Sequence, residues 1–189
     1  YFKGAAGVSV LPEIENRGSG NENTMEFDPG FSFTGGLGID LDNGFRGEAE
    51  IQYTLNSLSQ AKGTGNGRTL GATTFTAGDL STLAFMGNVA YDFQNVGQFT
   101  PYVSAGAGLA GVFINEVKAD GLIIADSSEW VFAMQFGGGV SMPIDDITTL
   151  EAGYRYFETQ DPEFGDQRGV PFSTQLSSHN FMVGARLNF

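Results

Sequence analysis

The chain has 189 residues, no cysteine and a formal net charge of −13, from 9 Lys plus Arg against 22 Asp plus Glu. The lack of cysteine excludes a disulfide framework and any thiolate metal site. With so few cations and no basic cluster, we expect no nucleic-acid partner, because such a surface must neutralise phosphates. Charged residues make up only 16% of the chain, whereas an average globular protein has about 25%.

The chain is rich in glycine and phenylalanine, with 28 and 17 residues respectively. Low charge with many aromatic residues suits a wall that faces lipid. No run approaches the roughly 18 apolar residues that a transmembrane helix needs. A membrane-spanning form must therefore be a closed barrel, because lipid cannot satisfy an open sheet edge. The strand-like pattern starts at once, so we expect a mature chain whose export signal has been removed.

Eight segments alternate apolar and polar residues at period two, which is the pattern of half-buried strands. In chain order the predicted strands are 2–11, 27–41, 45–58, 79–93, 100–114, 128–143, 148–159 and 175–189.

The connections between these strands alternate in length. Short ones are predicted at 41–44, 94–98 and 144–147, and long polar ones near 12–26, 59–78, 115–127 and 160–174. Asn43-Gly44 is the strongest hairpin signal in the chain. The regular order predicts an all-β fold, an eight-stranded antiparallel up-and-down transmembrane β-barrel, as one domain over 1–189. Short turns would face the periplasm and long loops the exterior.

Aromatic residues on the predicted outward faces concentrate near strand ends. Phe45, Phe93 and Phe189 are predicted to form one interfacial girdle, and Phe31, Tyr53, Trp130 and Tyr156 the other. Such girdles place amphipathic rings at headgroup depth. The expected surroundings of this wall are membrane lipid.

The opposite faces of the strands carry charged residues that would point into the lumen. They are Lys3, Asp40, Arg46, Glu48, Glu50, Asp92, Glu151, Arg155 and Arg186. An eight-stranded barrel is just wide enough for side chains to fill it. Four cations and five anions there predict an ion-pair network that plugs the lumen. The alternative is a narrow polar channel for small solutes.

The remaining acidic residues fall mostly in the predicted long loops. Carboxylates of this kind suit Ca²⁺ or Mg²⁺, but no stretch has the spacing of a calcium loop. We therefore expect solvated loop charges and no cofactor or metal, with bridging divalent cations as the alternative.

Catalytic patterns are weak. The single histidine, His179, shares an outward face with Ser177, and some outer-membrane lipid hydrolases use such a pair. An interfacial histidine is the favoured interpretation, so we predict no enzyme activity. Gly137-Gly138-Gly139 and Gly106-Ala107-Gly108 lie inside strands and are not phosphate loops.

Two segments carry a family resemblance. The segment 101–108, Pro-Tyr-Val-Ser-Ala-Gly-Ala-Gly, and the ending 184–189, Gly-Ala-Arg-Leu-Asn-Phe, resemble the small eight-stranded outer-membrane barrels. That group includes the outer-membrane protein A-like transmembrane domain and the opacity-type surface antigens. The resemblance implies an integral protein of a Gram-negative outer membrane, with roles from structural support to adhesion.

The terminal strand is similar to the signal that the barrel-assembly machinery recognises. Its outward residues are Phe181, Val183, Leu187 and Phe189. The resemblance thus implies that machinery as a partner during insertion.

The function expected from these observations is a structural or surface-interaction barrel whose external loops bind a partner. Self-association through loop residues such as Leu122-Ile123-Ile124, or membership of a larger envelope assembly, is a variant of this hypothesis. The alternatives from other classes are the narrow channel and, less favoured, an outer-membrane lipid-modifying enzyme.

Overall fold

The computed structural model describes most of the backbone and the side chains of the central barrel. The described backbone covers 1–12, 14–18, 21–65, 68–74, 77–93, 97–119, 122–160, 163–165, 171–173 and 176–189. Side chains are described for 1–12, 27–41, 43–57, 79–93, 97–113, 128–160 and 176–189, with Asp42 left out.

The described residues form strands almost throughout. In chain order they are β1 Phe2–Val10, β2 Ile14–Gly18, β3 Asn21–Phe27, β4 Gly30–Asp40, β5 Phe45–Gly65, β6 Arg68–Thr74, β7 Ala77–Asp92, β8 Thr100–Ala119, β9 Leu122–Pro143, β10 Thr148–Thr159, β11 Glu163–Gly165, β12 Pro171–Ser173 and β13 Ser177–Leu187. A short 3₁₀ turn spans Asp42–Gly44. No helix among the described residues is both long and apolar enough to cross a membrane.

Eight of these strands close into a barrel. Their order is β1-β4-β5-β7-β8-β9-β10-β13, and every neighbouring pair is antiparallel. The barrel closes because β13 also pairs with β1, from Phe2 opposite Leu187 to Val10 opposite His179. The predicted eight-stranded antiparallel barrel is therefore confirmed. Five of its strands follow the predicted ones to within three residues at each end, whereas β5, β8 and β9 extend five to seven residues further at one end.

The short turns follow local backbone chemistry. Asn43 and Gly44 both have positive φ, at 66° and 85°. Those are the backbone angles that tight hairpin turns require, and Asn-Gly adopts them at little cost. The turn at 144–147 is closed by a hydrogen bond of 2.9 Å from the Ile144 amide to the Thr148 carbonyl. Together these turns define one end of the barrel, called the turn end below.

The four long connections leave the opposite end, called the loop end. They contain strands that the sequence pattern did not predict. Strands β2 and β3 form a hairpin, β3 and β6 both pair with the extension of β5, and β11 pairs with β12. The β8–β9 hairpin continues to Ala119 opposite Leu122. These stretches lack a clear apolar face, so period two could not reveal them, but a partner strand still satisfies their backbone groups.

Candidate functional site: the barrel lumen

Strand β5 shows most clearly how the lumen is built. Successive side chains of a strand point to opposite faces, so one row enters the barrel and the other faces outward. The inward row of β5 is buried: Arg46, Glu48, Glu50, Gln52, Thr54 and Asn56. The outward row is exposed: Phe45, Ile51, Tyr53 and Leu55. Polar residues thus lie inside and apolar residues outside, the reverse of a soluble protein.

The turn half of the lumen holds a dense ion-pair network. Arg46 donates to Asp92 through Nε at 3.1 Å and Nη2 at 2.9 Å, and to Glu48 through Nη1 at 2.6 Å. Lys3 Nζ donates to the other oxygen of Glu48 at 3.0 Å. Both Arg46 and Glu48 are almost fully buried, so neither charge depends on water for compensation.

Glu151 is the second carboxylate of this network. Its oxygens lie 3.5 Å from Lys3 Nζ, 3.5 Å from Arg46 Nη1 and 3.0 Å from Arg186 Nε. The Arg186 approach lacks hydrogen-bond alignment, so the attraction there is that of an ion pair. Three cations therefore surround one buried carboxylate, which ties β1, β5, β10 and β13 together across the lumen.

Two tyrosines complete the network, and sequence reasoning missed both. Tyr1 donates its hydroxyl proton to Glu48 at 2.7 Å, and the guanidinium of Arg186 lies 5.4 Å from the Tyr1 ring centre. Arg46 lies 5.3 Å from the ring centre of Tyr102. Both tyrosines therefore stabilise buried arginines through their ring faces.

Glycines on neighbouring strands make room for these rings. A side chain on Gly38 would collide with the Tyr1 ring, and one on Gly139 or Gly153 would collide with the Tyr102 hydroxyl. These glycines lie on other strands than the tyrosines, so only the strand register shows which rings they accommodate.

A second ion pair lies further from the turn end. Arg155 and Glu50 pair through two parallel contacts, Nη1 to Oε1 at 2.5 Å and Nη2 to Oε2 at 3.1 Å. Arg155 Nη1 also donates to Gln52 Oε1 at 3.1 Å. The two-point geometry fixes Arg155 against β5 from the opposite side of the barrel.

The structure brings eight of the nine predicted lumen charges into these buried contacts. Asp40 is the exception, because its side chain is 61% exposed and only approaches Arg186 at 3.9 Å. It lies at the rim of the turn end, where water competes for it, so it adds little to the closure of the lumen.

The loop half of the lumen is largely apolar on one side, which the sequence analysis did not predict. Leu11, Leu80, Val112 and Leu176 form a buried cluster with Phe27 and Val131 packed against it, and we call this the loop-end cluster. A second buried cluster contains Ala84, Met86, Ala110, Ala133 and Phe157. On β7 and β8 the alternation of apolar and polar residues is weak, because apolar residues occupy both faces. The sequence of these two strands therefore did not indicate that their inward rows form apolar clusters.

Two small cavities lie inside the described part of the lumen. A cavity of about 30 Å³ lies between the two ion-pair groups, lined by Lys3, Tyr102, Glu151 and Arg155 among others. A second cavity of about 10 Å³ lies under the loop-end cluster. A site needs roughly 10–15 Å³ to hold one water, so these cavities accommodate only a few waters.

The outer wall carries the predicted girdle residues. At the turn end, Phe45 contacts Tyr91 at 4.9 Å, Tyr91 contacts Phe93 at 5.1 Å, and Phe2 contacts Phe189 at 5.1 Å between ring centres.

Towards the loop end, Trp130 lies between Phe85 at 6.0 Å and Phe113 at 6.4 Å. Phe31 and Tyr53 are exposed, and Tyr156 is half-buried beside His179, at 5.4 Å between ring centres. Phe181, Val183 and Leu187 are exposed on the outer face of β13.

His179 is held by tyrosines on the outer wall. Its Nδ1 lies 2.7 Å from the Tyr154 hydroxyl, and its ring centre lies 5.4 Å from that of Tyr156. A hydrolase would need the histidine beside the serine nucleophile. The contacts described for His179 are instead with tyrosines of the outer wall, as in an interfacial aromatic cluster.

The loop acids are described only in part. Side chains are placed for Asp28, Glu129 and Glu158, whereas the others lie outside the described residues, as do those of Leu122, Ile123 and Ile124. Among the described residues, no three acidic or histidine side chains are grouped as a metal site would require.

A closed eight-stranded barrel with an apolar outer wall and a charge-filled interior defines an integral β-barrel of the outer membrane. The chain belongs to the outer membrane protein beta-barrel domain family, whose model matches residues 3–189. The family and the outer-membrane location implied by the sequence resemblance are thereby confirmed.

Among individual proteins, the chain is similar to the outer membrane protein PagN of Salmonella typhimurium, with 32% identity over 116 residues. That alignment covers 56% of this chain but only 48% of PagN, so it spans about half of the relative.

Two solved structures share the fold. Neisserial surface protein A has a TM-score of 0.58 at 19% identity, covering 100% of this chain and 97% of its own. OprG of Pseudomonas aeruginosa has a TM-score of 0.58 at 12% identity, covering 100% and 96%.

Proposed function

We propose that the protein is a structural or surface-interaction barrel of the outer membrane, with binding carried by its four long connections and not by its lumen. The observation that supports this most directly is the filled interior. Buried ion pairs occupy the turn half, the loop-end cluster occupies the other mouth, and the cavities between them hold only a few waters. The long connections then face the exterior, where binding residues concentrate in loops.

The ion pairs act as fixed crosslinks across the barrel in this proposal. Removing one partner of a buried pair leaves an uncompensated charge, so it lowers stability more than it opens space. We expect no steady ion current from the protein in planar lipid bilayers. Arg155→Ala is expected to lower the free energy of unfolding without creating conductance. His179→Ala changes a side chain on the outer wall. It is the matched control for both the free energy of unfolding and the conductance.

Conductance separates this proposal from its main alternative. A steady current through the unmodified protein would overturn the filled-lumen proposal in favour of a narrow channel. A change in the cell's lipid profile on His179→Ala would instead favour a lipid-modifying enzyme, because only catalysis needs that side chain to act on lipid. We expect neither.

Partners follow from the same surfaces. The apolar wall between aromatic bands suits membrane lipid, and lipopolysaccharide in the outer leaflet. The outward row of β13, formed by Phe181, Val183, Leu187 and Phe189, is the proposed contact for the barrel-assembly machinery.

A protein partner or a second copy of the chain would bind at the loop end. Native mass spectrometry of the protein gently extracted from its own membrane tests this: a defined complex or homo-oligomer is expected.

A further inference from the structure

The outer wall carries a polar patch towards the loop end, on the adjacent strands β10 and β13. Tyr154, Tyr156 and Glu158 take successive outward positions of β10, and the register places Tyr156 opposite His179 and Glu158 opposite Ser177. We call these five residues the wall patch. Elsewhere towards this end the exposed outward side chains are mostly apolar, among them Phe31, Leu55, Phe85 and Phe132. An aromatic belt surrounds a barrel evenly, so it does not explain a polar patch on two strands.

The histidine of the wall patch is held in place by its neighbours. Its Nδ1 shares a hydrogen bond of 2.7 Å with the Tyr154 hydroxyl, and these two rings are stacked with 6.0 Å between their centres. The ring centre of Tyr156 lies 5.4 Å away. Among the described residues Nε2 has no hydrogen-bonding partner, so a ligand can use it without breaking an existing bond. A ring fixed in advance loses little freedom when a ligand binds.

The charges of the wall do not suit an anionic ligand. The four Lys and Arg side chains that the structure describes are all ion-paired in the lumen: Lys3, Arg46, Arg155 and Arg186. Glu158 instead brings a carboxylate to the wall patch. A phosphate there would meet a like charge and no described cation.

The same groups suit an uncharged ligand that is rich in hydroxyls. Phenol, imidazole, hydroxyl and carboxylate groups together both donate and accept hydrogen bonds. Tyrosine rings add apolar surface beside their polar tips. A sugar ring has the matching shape, because it combines an apolar C–H face with a rim of hydroxyl groups.

We propose that the wall patch binds the uncharged sugar headgroup of an outer-leaflet glycolipid. The wall next to the patch favours a sugar that is linked to lipid. The outward rows continue towards the turn end with exposed apolar side chains, namely Phe181 and Val183 on β13 and Leu150 on β10. Acyl chains would lie along these rows while the sugar reaches the patch. The site rests on the proposed lipid partners of the wall and specifies the headgroup chemistry that one strand pair selects.

The single histidine of the chain makes the site directly observable. In bilayers, its ring nitrogens give the only imidazole ¹⁵N signals of the whole protein. Titration with monoglucosyl diacylglycerol should shift the Nε2 signal to a saturating value, whereas phosphatidylglycerol with the same acyl chains should not. The absence of a shift with the glucolipid, or equal shifts with both lipids, would overturn the sugar site. Conductance does not depend on the patch, so either result would leave the filled-lumen proposal intact.

Tyr154→Phe and Tyr53→Phe form a matched pair of variants. The two tyrosines are 39% and 41% exposed on the outer wall, and each variant loses one hydroxyl. Native mass spectrometry counts the glucolipid that each variant retains from bilayer discs containing both lipids. Tyr154→Phe should retain severalfold less than the parent, because His179 loses the hydroxyl that holds it, and Tyr53→Phe should match the parent. Equal retention by the two variants would overturn the role of the patch.

Methyl glucoside distinguishes a lipid-linked sugar from a free one, because it offers the same hydroxyls without acyl chains. At the concentration of the glucolipid it should neither shift the Nε2 signal nor lower glucolipid retention. Displacement of the glucolipid by methyl glucoside at that concentration would assign the patch to a soluble saccharide and overturn the glycolipid assignment.

Discussion

Glu48 shows how much a single residue contributes to the closed lumen. It accepts hydrogen bonds from Tyr1, Lys3 and Arg46 while almost fully buried. Replacing it with alanine would leave Lys3 and Arg46 with one fewer counter-charge, and breaking a buried pair costs about 3–5 kcal/mol. We therefore expect Glu48→Ala to lower the free energy of unfolding by about that amount in a urea titration of the bilayer-inserted barrel.

Asp40→Ala is the control for this expectation. It removes a carboxylate of the same predicted set, but one that is mostly exposed and distant from its cation. Exposed pairs contribute at most about 1 kcal/mol. Equal losses for the two variants would mean that burial does not set the strength of the network.

Two glycines of β1 provide a matched pair for packing. A Cβ on Gly7 would run into the backbone of Phe181 and Met182 on β13, whereas one on Gly4 would meet nothing within 4 Å. Because backbone cannot swing aside, overpacking at Gly7 is expected to cost about 1–3 kcal/mol. Gly4→Ala should change stability by no more than about 0.5 kcal/mol. Urea titrations of both variants check this, and a stable Gly7→Ala would mean that β1 and β13 can separate locally.

The sequence could predict the lumen charges but not their full surroundings. Charged residues at alternate positions of β5 and β10 have only one plausible place in a barrel, so Arg46, Glu48 and Arg155 were identifiable. Tyr1 and Tyr102 were not, because tyrosine suits both an interface and an interior, and only neighbouring glycines decide between them. Those neighbours come from strand register, which one sequence does not reveal.

At the scale of elements, the β9–β10 turn depends on one carboxylate. Asp145 accepts hydrogen bonds from the amides of Ile147 at 2.9 Å and Thr148 at 2.7 Å. The Ile147 amide above all, and then that of Thr148, holds the pKa of Asp145 below its ordinary value. A lowered folded pKa means that the stabilisation is present above the unfolded pKa of about 3.9. It is lost as the pH falls through the folded value.

Asp145→Ala should therefore be less stable than the parent at neutral pH, and the difference should shrink in acid. The ¹³C shift of the Asp145 carboxyl against pH gives the folded pKa directly, and urea titrations at several pH values give the stability. Asp146→Ala is the control in the same turn. A stability difference that stays constant down to strongly acidic pH would rule out the carboxylate as its source.

Period two was sufficient for the barrel strands because one face of each meets lipid. Strands β2, β3 and β6 leave the barrel, and their sequences lack this alternation. Their pairing then depends on a neighbouring strand from elsewhere in the chain, such as β5, and short-range pattern does not contain that information. The chain order of short and long connections was nevertheless enough to define two different ends.

For the whole molecule, charge is separated between lumen and ends. The nine lumen residues carry a net charge of −1, so −12 of the total −13 lies elsewhere, of which −5 falls in the four long connections and the rest near strand ends and in the short turns. Since the barrel pairs residues 2–9 with 30–37 directly, the segment 13–26 is not needed to close it. Replacing 13–26 with a short Asn-Gly turn should leave a folded barrel, judged by its heat-modifiable gel mobility.

The same replacement should release any partner bound at the loop end, because β2, β3 and the extension of β5 form one projecting sheet. Native mass spectrometry before and after the replacement measures this, with Arg155→Ala as the control that alters the lumen but not the connections. Loss of the complex in the shortened protein alone would locate binding at the loop end. A complex that survives removal of 13–26, and then shortening of the other three long connections, would place binding on the wall, where the outward residues of β13 are the next surface to alter.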